Sequence, residues 1–212
     1  MAIINERSFY RQKEQIINFI YKEDLDIIAI QETWANKKGN NIIINGYNVI
    51  CSKPHDRPAR GLAIIVKNDI QFKAVCVSKD DYELEMITIA ITSRKERIVI
   101  SNVYIHPHAT DEKLKLLESR IKSKGNQIIL GDFNAHCKKW SKSTETKRGK
   151  LIDDMIKRNK LVIVNNKRIA TMCIGKAKVL LGYKPLVSFN DENGWKNAIN
   201  VVYERTAKEE NW

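Results

Sequence analysis

The chain has 212 residues, of which 43% are hydrophobic and 29% are charged, and its formal net charge at pH 7 is +12. This length fits one large domain or two small ones, and the composition is typical of a globular protein with its own core. No apolar run approaches the roughly 18 residues that a membrane-spanning helix needs, which argues against a membrane protein. The scattered cysteines form no C-x-x-C pair, which argues against a zinc site or a disulfide framework and for an intracellular protein.

The first half of the chain is predicted to mix helices and strands. Apolar residues at helical spacing predict a helix over residues 11–23, and a short β-branched run predicts a strand buried on both faces over 25–30. Two short strands are predicted within 42–50, on either side of a glycine turn, and another buried strand over 61–66. Residues 82–91 alternate polar and apolar side chains, a polar turn follows at 93–96, and the apolar run 97–106 returns, which predicts an antiparallel hairpin over 82–106.

The second half continues this mixture as far as residue 166. Helical periodicity predicts helices over 111–123 and 149–158, and apolar runs predict strands over 127–134 and 161–166. Because strands linked by helices occur beside a hairpin, the predicted fold class is α/β, in layers, with a largely antiparallel or mixed sheet.

The pattern of elements weakens after residue 166. We therefore predict one domain over residues 1–166 and a divergent tail over 167–212, where short apolar pieces occur without a clear continuation of the strand series. No repeat or low-complexity linker separates the two parts.

Positive charge is concentrated between residues 138 and 150, where Glu145 is the only acidic residue. The basic residues there are Lys138, Lys139, Lys142, Lys147, Arg148 and Lys150. A solvated basic surface is one interpretation of this cluster. The other is a contact with nucleic acid through Lys138, Lys139, Lys142 and Arg148, because clustered basic side chains gain by displacing counterions from phosphates.

The stretch IILGDFNAH ends a predicted buried strand on polar residues. Residues two apart in an extended segment point to the same side, so Asp132, Asn134 and His136 are expected to face one cleft while Phe133 turns into the core. Gly131 would let the backbone bend or approach a neighbour closely. The strand end is therefore a candidate site.

Two acidic residues at strand ends, Glu32 and Asp132, carry hard oxygen atoms that suit Mg²⁺ or Mn²⁺. Asn134 is suited to hold a phosphate oxygen or to orient a water molecule, and Tyr104 to donate a hydrogen bond to a phosphate oxygen. Taken singly, an acidic residue or an asparagine after a strand is more often a turn or a helix cap. Their joint occurrence favours a functional site.

Three motifs in this order, DIIAIQETW, SNVYIHP and ILGDFNAHCKKW, resemble those of the endonuclease/exonuclease/phosphatase superfamily. Within it, GDFNAH followed by a tryptophan, and then by KRG before a helix, is similar to the apurinic-endonuclease-like domain of non-LTR retrotransposons. The resemblance covers residues 4–166. It implies a four-layer α/β sandwich with two packed mixed or antiparallel sheets and outer helices, and cleavage of DNA phosphodiesters that depends on Mg²⁺ or Mn²⁺.

The resemblance also implies roles for individual residues. NERS matches the superfamily's Asn-x-Arg motif, which would put Asn5 beside the metal and the phosphate, and Glu32 would be the metal ligand. Tyr104 would lie at the phosphate. Asp132 would activate the attacking water, and Asn134 would position the water or the phosphate.

Other residues that match the superfamily have two interpretations. His136 matches the retrotransposon branch and either packs locally or joins the site. Arg148 either fixes the loop before a helix or meets a phosphate. Trp140 is expected to pack rather than to stack on a base. Thr171 stands where the superfamily has a Thr-Phe pair, although Met172 follows it here.

The superfamily's C-terminal Ser-Asp-His motif has no counterpart in these residues. The four histidines are His55, His106, His108 and His136, so none follows position 136. We therefore expect the terminal strands to be missing or replaced. We also expect cleavage to be slower by about two to three orders of magnitude, because a contact to the phosphate in the transition state is lost. His106, close after Tyr104, is a candidate substitute.

Three functions stay open at this point. The first is a DNA-nicking endonuclease of a retrotransposon, monomeric, fused to or working with a reverse transcriptase, and nuclear if it acts on chromosomal DNA. The second is a non-catalytic remnant that binds nucleic acid, which the missing histidine favours. The third is a phosphatase with a small-molecule or lipid substrate, against which the charge of +12 counts. No membrane partner is expected.

Overall fold

The computed structural model describes most of the chain up to residue 163 and one short segment beyond it. The described residues are 1–5, 8–34, 42–52, 60–77, 82–93, 96–121, 126–140, 144–163 and 179–182. No helix in this part of the chain is long and apolar enough to cross a membrane.

Four strands form the first sheet. They are β1 (Ala2–Asn5), β2 (Ile27–Gln31), β3 (Tyr47–Cys51) and β4 (Leu62–Lys67), in the spatial order β1-β2-β4-β3. β1 and β2 are parallel, because a 3-10 turn (Phe9–Arg11) and helix α1 (Lys13–Lys22) carry the chain back between them. β4 is antiparallel to both β2 and β3.

The second sheet has six strands among the described residues. They are β5 (Phe72–Val77), β6 (Leu84–Ser93), β7 (Glu96–Ile105), β8 (Asn126–Asp132), β9 (Val162–Ile163) and β10 (Val179–Gly182), in the order β5-β6-β7-β8-β10-β9. β6 and β7 are the predicted antiparallel hairpin. Helix α2 (Asp111–Ile121) connects β7 to β8, which are parallel, and helix α3 (Lys147–Arg158) follows β8.

Three apolar clusters hold the layers together. The central cluster fills the space between the sheets with residues such as Leu62 of the first sheet and Leu130 of the second. Ile16 and Ile20 of α1 pack on the outer face of the first sheet, and α2 and α3 pack on the outer face of the second. Helix, sheet, sheet and helices therefore form the four-layer α/β sandwich that the sequence predicts.

The structure differs from the prediction in two strands. Residues 42–50 were expected to hold two strands, but only the one beginning at Tyr47 forms. Ile42 and Ile44 are buried in the same apolar cluster as α1, without strand pairing. A turn at Gly46, with φ of 77°, separates them from β3. Strand β5 was not predicted, because it lies at the edge of the second sheet and its mostly exposed residues show no apolar alternation.

One strand lies beyond the predicted domain boundary at residue 166. β10 inserts between β8 and β9 and runs parallel to both. The second sheet therefore continues into the segment for which the sequence predicts only a divergent tail. The boundary itself, and the loss of terminal strands, stay predictions, because residues 164–178 and 183–212 are outside the described part of the chain.

Candidate active site

Four strand ends meet at one edge of the sandwich. In the first sheet, Asn5 at the end of β1 pairs in register with Gln31 at the end of β2. In the second sheet, Tyr104 near the end of β7 pairs with Asp132 at the end of β8. Because each pair of strands is parallel and the two sheets face each other, the polar residues at these ends converge.

Asn102 joins the two sheets just below this edge. Its side chain is fully buried, and its Nδ2 donates to the carbonyl oxygens of Ile30 at 3.0 Å and Ala63 at 2.9 Å. Its Oδ1 accepts a hydrogen bond from Gln31 Nε2 at 2.5 Å. Because both the nitrogen and the oxygen of this amide are hydrogen-bonded to the first sheet, Asn102 fixes the separation of the two sheets where the candidate site begins.

Both oxygens of the Asp132 carboxylate have partners. Asn5 Nδ2 donates to Oδ2 at 2.8 Å, and the backbone N–H of Asn134 donates to Oδ1 at 2.8 Å. Asn134 Nδ2 donates in turn to the carbonyl oxygen of Ile105 at 2.9 Å. Asp132 as a whole is 8% exposed, so its carboxylate is largely buried and is oriented by its neighbours.

Tyr104 and Glu32 form a second pair at the same edge. The Tyr104 hydroxyl donates to Glu32 Oε1 at 3.3 Å. Burial, together with the negative charges of Glu32 and Asp132, raises the pKa of Tyr104 well above its ordinary value. The hydroxyl therefore stays protonated throughout the physiological range and remains a hydrogen-bond donor. Tyr104 also pairs in register with Asp132, so it neighbours both acidic residues.

The backbone around the site is held in uncommon conformations. Ser8, Glu32 and Asn134 have φ values of 92°, 54° and 45°, a region that costs roughly 1–3 kcal/mol for residues other than glycine. Cross-loop hydrogen bonds offset this cost, as when Ser8 N donates to the carbonyl oxygen of Glu32 at 3.1 Å. Such strain is typical of residues that a fold positions for function.

Gly131 allows β7 and β8 to approach closely beside the site. A Cβ at this position would collide with the carbonyl oxygen of Val103, its register partner on β7. The close approach expected from the sequence is confirmed. Phe133 is buried in the outer core of the second sheet, also as expected.

Comparison with known proteins points to one superfamily. Residues 98–180 match the family described as endonuclease-reverse transcriptase. The RNA-directed DNA polymerase from mobile element jockey of Drosophila funebris is 24% identical over 185 residues, which make up 86% of this chain and 19% of that protein. The chain thus spans about a fifth of the length of this curated relative.

Solved structures share the fold at low sequence identity. The endonuclease domain of TRAS1, a telomere-specific non-LTR retrotransposon, is 18% identical, with a TM-score of 0.65 over 78% of this chain and 74% of that one. The AP endonuclease LMAP from Leishmania major is 12% identical, with a TM-score of 0.61 over 74% and 65% of the two chains. An AP endonuclease from Archaeoglobus fulgidus is 15% identical, with a TM-score of 0.53 over 74% and 69%.

These similarities support an endonuclease/exonuclease/phosphatase (EEP) domain in this chain. Its similarity is to the EEP domains of non-LTR retrotransposons in particular. Nucleases of this superfamily generally use divalent metal ions. The polar residues at the strand ends of this chain are the ones that could hold such an ion.

The donor set of this EEP domain fits a hard divalent cation. Glu32 and Asp132 are carboxylates, and Asn5 adds an amide oxygen beside them. No group of three or more His, Cys, Asp or Glu side chains is arranged for a metal within the described ranges. A site with two carboxylates, completed by water and substrate oxygens, is how Mg²⁺ usually binds, whereas zinc prefers a closed set of nitrogen and sulfur ligands.

The basic cluster that follows the site is more neutralised than its sequence indicates. Lys139 Nζ lies 2.7 Å from Asp153 Oδ1, and Lys147 Nζ lies 2.6 Å from Asp111 Oδ2. Counting charges between residues 138 and 150 missed these partners, because they lie on α3 and α2. Lys138 is exposed, and Lys142 is outside the described residues. That this cluster binds nucleic acid stays a prediction, and Lys139 has a structural partner.

Arg148 secures the backbone around the site. Its Nη1 donates to the carbonyl oxygens of His106 at 3.1 Å and Asn134 at 3.3 Å, and its Nη2 donates to those of Pro107 at 2.9 Å and Ala109 at 2.7 Å. Of the two interpretations of Arg148, the geometry favours the one in which it fixes the loop. A phosphate contact by the same guanidinium stays a prediction.

His136 holds the next loop through its main chain. Its N–H donates to Thr146 Oγ1 at 3.2 Å, and its carbonyl oxygen accepts from Thr146 N at 2.9 Å. The strand ends at Asp132, so the alternation of side chains that placed His136 in the same cleft ends there too. The role of its imidazole stays a prediction. Trp140 packs against the outer core as expected, and Thr171 lies outside the described residues.

Glu85 was not recognised as part of this region from the sequence. It is 2% exposed and pairs in register with Tyr104. Its carboxylate accepts hydrogen bonds from Gly61 N at 3.2 Å and Ser52 Oγ at 3.5 Å. The period-two pattern of 82–91 indicates a strand with one solvent-exposed face. In the structure, however, the first sheet covers one face of the second sheet and helices cover the other. An acidic residue at such a position must therefore serve polar partners inside the sandwich.

Asp153→Asn tests the structural role of Lys139 and Lys157, the two lysines that pair with Asp153 of α3. Burial opposes ionisation of Asp153, but hydrogen bonds from Lys139 and Lys157 outweigh it and lower the pKa of this carboxyl. A lowered pKa stabilises the fold above the unfolded-state value of about 3.9 and stops doing so as the pH falls through the folded-state value. Urea unfolding at pH 7 should show a loss of about 1–2 kcal/mol, and this loss should shrink as the pH falls below the unfolded-state pKa of about 3.9.

Asp154→Asn is the matched control on the same helix. Asp154 is exposed, and its 3.4 Å ion pair with Lys157 should contribute less than about 0.5 kcal/mol. Equal losses for the two variants, or a loss for Asp153→Asn that does not depend on pH, would contradict the assignment.

Proposed function

We propose that this EEP domain hydrolyses phosphodiester bonds in DNA as a nicking endonuclease that depends on Mg²⁺ or Mn²⁺. The observation that carries the proposal is the Asp132 carboxylate, held by Asn5 and Asn134 beside the Tyr104–Glu32 pair. A fixed carboxylate next to a fixed neutral donor suits a reaction in which water attacks a phosphorus atom. The similarity to the endonuclease domain of TRAS1 supports DNA as the substrate.

Each residue of the site has a part in this reaction. Asp132 accepts the proton of the attacking water, and its two hydrogen bonds keep its oxygens in place. The protonated Tyr104 hydroxyl donates to a non-bridging phosphate oxygen, exchanging its present acceptor Glu32 for the substrate. Asn134 orients the water or the phosphate from the end of β8.

Glu32 and Asn5 would hold the divalent cation. When bound there, the cation neutralises part of the negative charge of the phosphate. The two carboxylates of the site give a local excess of negative charge that favours this ion. DNA is a polyanion and carries no positively charged group that could take the place of this cation.

The 212 residues contain no histidine after position 136. We therefore propose that this chain cleaves DNA about two to three orders of magnitude more slowly than a site that has a further hydrogen-bond donor to the phosphate. The same observation favours a second candidate, a domain that binds nucleic acid without cleaving it. We also propose a reverse transcriptase as the partner in the parent protein, as in the relative from mobile element jockey.

Plasmid nicking distinguishes the two candidates. Supercoiled DNA incubated with the chain should be converted to nicked circles in the presence of Mg²⁺ or Mn²⁺, and should stay supercoiled in EDTA. DNA binding that weakens with salt, together with no conversion above background in either metal, would establish the binding candidate instead.

A further inference from the structure

Two arginine–aromatic pairs lie beside the site, with Arg11, Trp34 and Arg60 on connections of the first sheet and Tyr82 just before β6 of the second. The Cζ atom of Arg11 is 5.7 Å from the centroid of the Trp34 ring, and that of Arg60 is 5.7 Å from the centroid of the Tyr82 ring. We call these four residues the arginine–aromatic rim. Guanidinium groups next to aromatic rings are the side chains that single strands of nucleic acid contact through phosphates and base faces.

Backbone hydrogen bonds tie the rim to the candidate active site. Trp34 N donates to the carbonyl oxygen of Arg60 at 2.8 Å, and Thr33 N donates to that of Gly61 at 3.0 Å. Trp34 follows Glu32 by two residues. A Cβ at Gly61 would collide with Thr33 Oγ1, so the two loops are in direct contact.

The charge of Arg60 reaches the second sheet as well. Burial lowers the pKa of His106, and the positive charge of Arg60 lowers it further. Arg60 precedes Gly61, whose N–H donates to the Glu85 carboxylate at 3.2 Å. Glu85 pairs in register with Tyr104, so Arg60 lies near the end of β7. The rim therefore borders the site rather than a remote surface.

Two polar groups of the rim are buried donors that lack an acceptor. Arg60 is 6% exposed, and neither its Nη1 nor Trp34 Nε1 has a hydrogen-bond partner in the described part of the chain. A buried donor without a partner costs about 1–3 kcal/mol, and more when the group is charged. Because an arginine is always protonated, the partner that would satisfy Arg60 is an anion.

We propose that the arginine–aromatic rim holds the phosphate backbone of the DNA strand next to the reacting phosphodiester. This proposal rests on the proposed function and names the surface that grips its substrate. The guanidinium of Arg60 and the indole N–H of Trp34 donate to phosphate oxygens, and the exposed Arg11 adds charge at the outer end of the rim. Lys139 and Lys147, in contrast, already have carboxylate partners.

Binding without cleavage tests the rim. The dissociation constant of a short DNA duplex should be measured by fluorescence anisotropy in EDTA, from about 50 to about 200 mM salt. Arg60→Gln and Arg11→Gln should each weaken binding about 5- to 50-fold and reduce the slope of log Kd against log salt by about one. Trp34→Phe, which keeps an aromatic ring and removes the N–H, should weaken binding about 3- to 10-fold.

Arg97→Gln is the matched control, because Arg97 is exposed at the start of β7, at the opposite end of the sheet. It removes the same charge and should change the affinity less than about twofold. If Arg60→Gln proves unfolded, the exposed Arg11→Gln and the conservative Trp34→Phe carry the test. Rim variants that bind like Arg97→Gln, or a wild-type chain that binds no DNA, would overturn the proposal.

The same measurements separate the rim from the proposed function. A wild-type chain that binds DNA through the rim but does not nick it contradicts the proposed function and leaves the rim in place. A chain that nicks DNA normally, with rim variants whose affinity equals that of Arg97→Gln, contradicts the rim alone.

Discussion

Asp132→Asn should lower the rate of Mg²⁺-dependent nicking by about 10²- to 10⁴-fold, the usual contribution of a positioned general base. The substitution conserves shape, and the remaining amide oxygen can still accept a hydrogen bond from Asn5 or Asn134. What it removes is the group that takes the proton from water. Initial rates of conversion of supercoiled to nicked plasmid measure the effect, with DNA affinity in EDTA expected to stay near that of the wild type.

Asp154→Asn provides the control for this experiment too. Asp154 is an exposed residue of α3, remote from the strand ends, so the same chemical change there should leave the nicking rate unaltered. A folded Asp132→Asn variant that nicks at the wild-type rate would contradict the assignment of Asp132.

Gly131→Ala should destabilise the domain by more than about 3 kcal/mol, the largest stability effect expected from a single methyl group here. The added Cβ would collide with the carbonyl oxygen of Val103. The alanine would also have to adopt the backbone φ of 156° that Gly131 has. Relief requires β7 and β8 to move apart, which breaks their pairing and shifts Asp132 away from Asn5. Urea unfolding followed by circular dichroism measures the change in free energy.

Gly46→Ala separates the collision from the backbone conformation. Gly46 also has a positive φ, of 77°, but a Cβ there would meet nothing within 4 Å. The free energy of unfolding of Gly46→Ala should therefore fall only by the cost of the left-handed backbone conformation, about 1–2 kcal/mol. Similar losses at the two glycines would show that the close approach of β7 and β8 is not what Gly131 provides.

Local sequence features predicted the elements that build the site. β2 and β8 are short apolar runs with polar residues at their ends, and such runs can be recognised without knowing their partners. The same holds for the hairpin of β6 and β7, whose two halves are adjacent in the chain. Asp132 and Glu32 were found because their positions relative to these strands are local.

The features that the sequence did not predict depend on contacts between distant segments. The burial of Glu85 follows from the packing of a second sheet on β6, and the bridge made by Asn102 joins it to Ile30 and Ala63 of the other sheet. Lys139 looked available for a phosphate because its partner Asp153 is 14 residues away. Charge counts along the chain cannot anticipate such pairs.

Metal affinity can be measured even where turnover is slow, because it does not require the complete catalytic set. Electron paramagnetic resonance of Mn²⁺ reports the free ion directly, so a titration gives the number of bound ions and their affinity. Glu32→Gln preserves size and removes one charge from the site, whereas Glu112→Gln makes the same change at an exposed position at the start of α2.

The titration of Mn²⁺ against the wild type and these two variants tests most directly whether the four strand ends form one metal-dependent site. We predict that the wild type and Glu112→Gln bind one Mn²⁺ with equal affinity, and that Glu32→Gln binds it at least about tenfold more weakly. Equal affinity in all three proteins would contradict the assignment of the site.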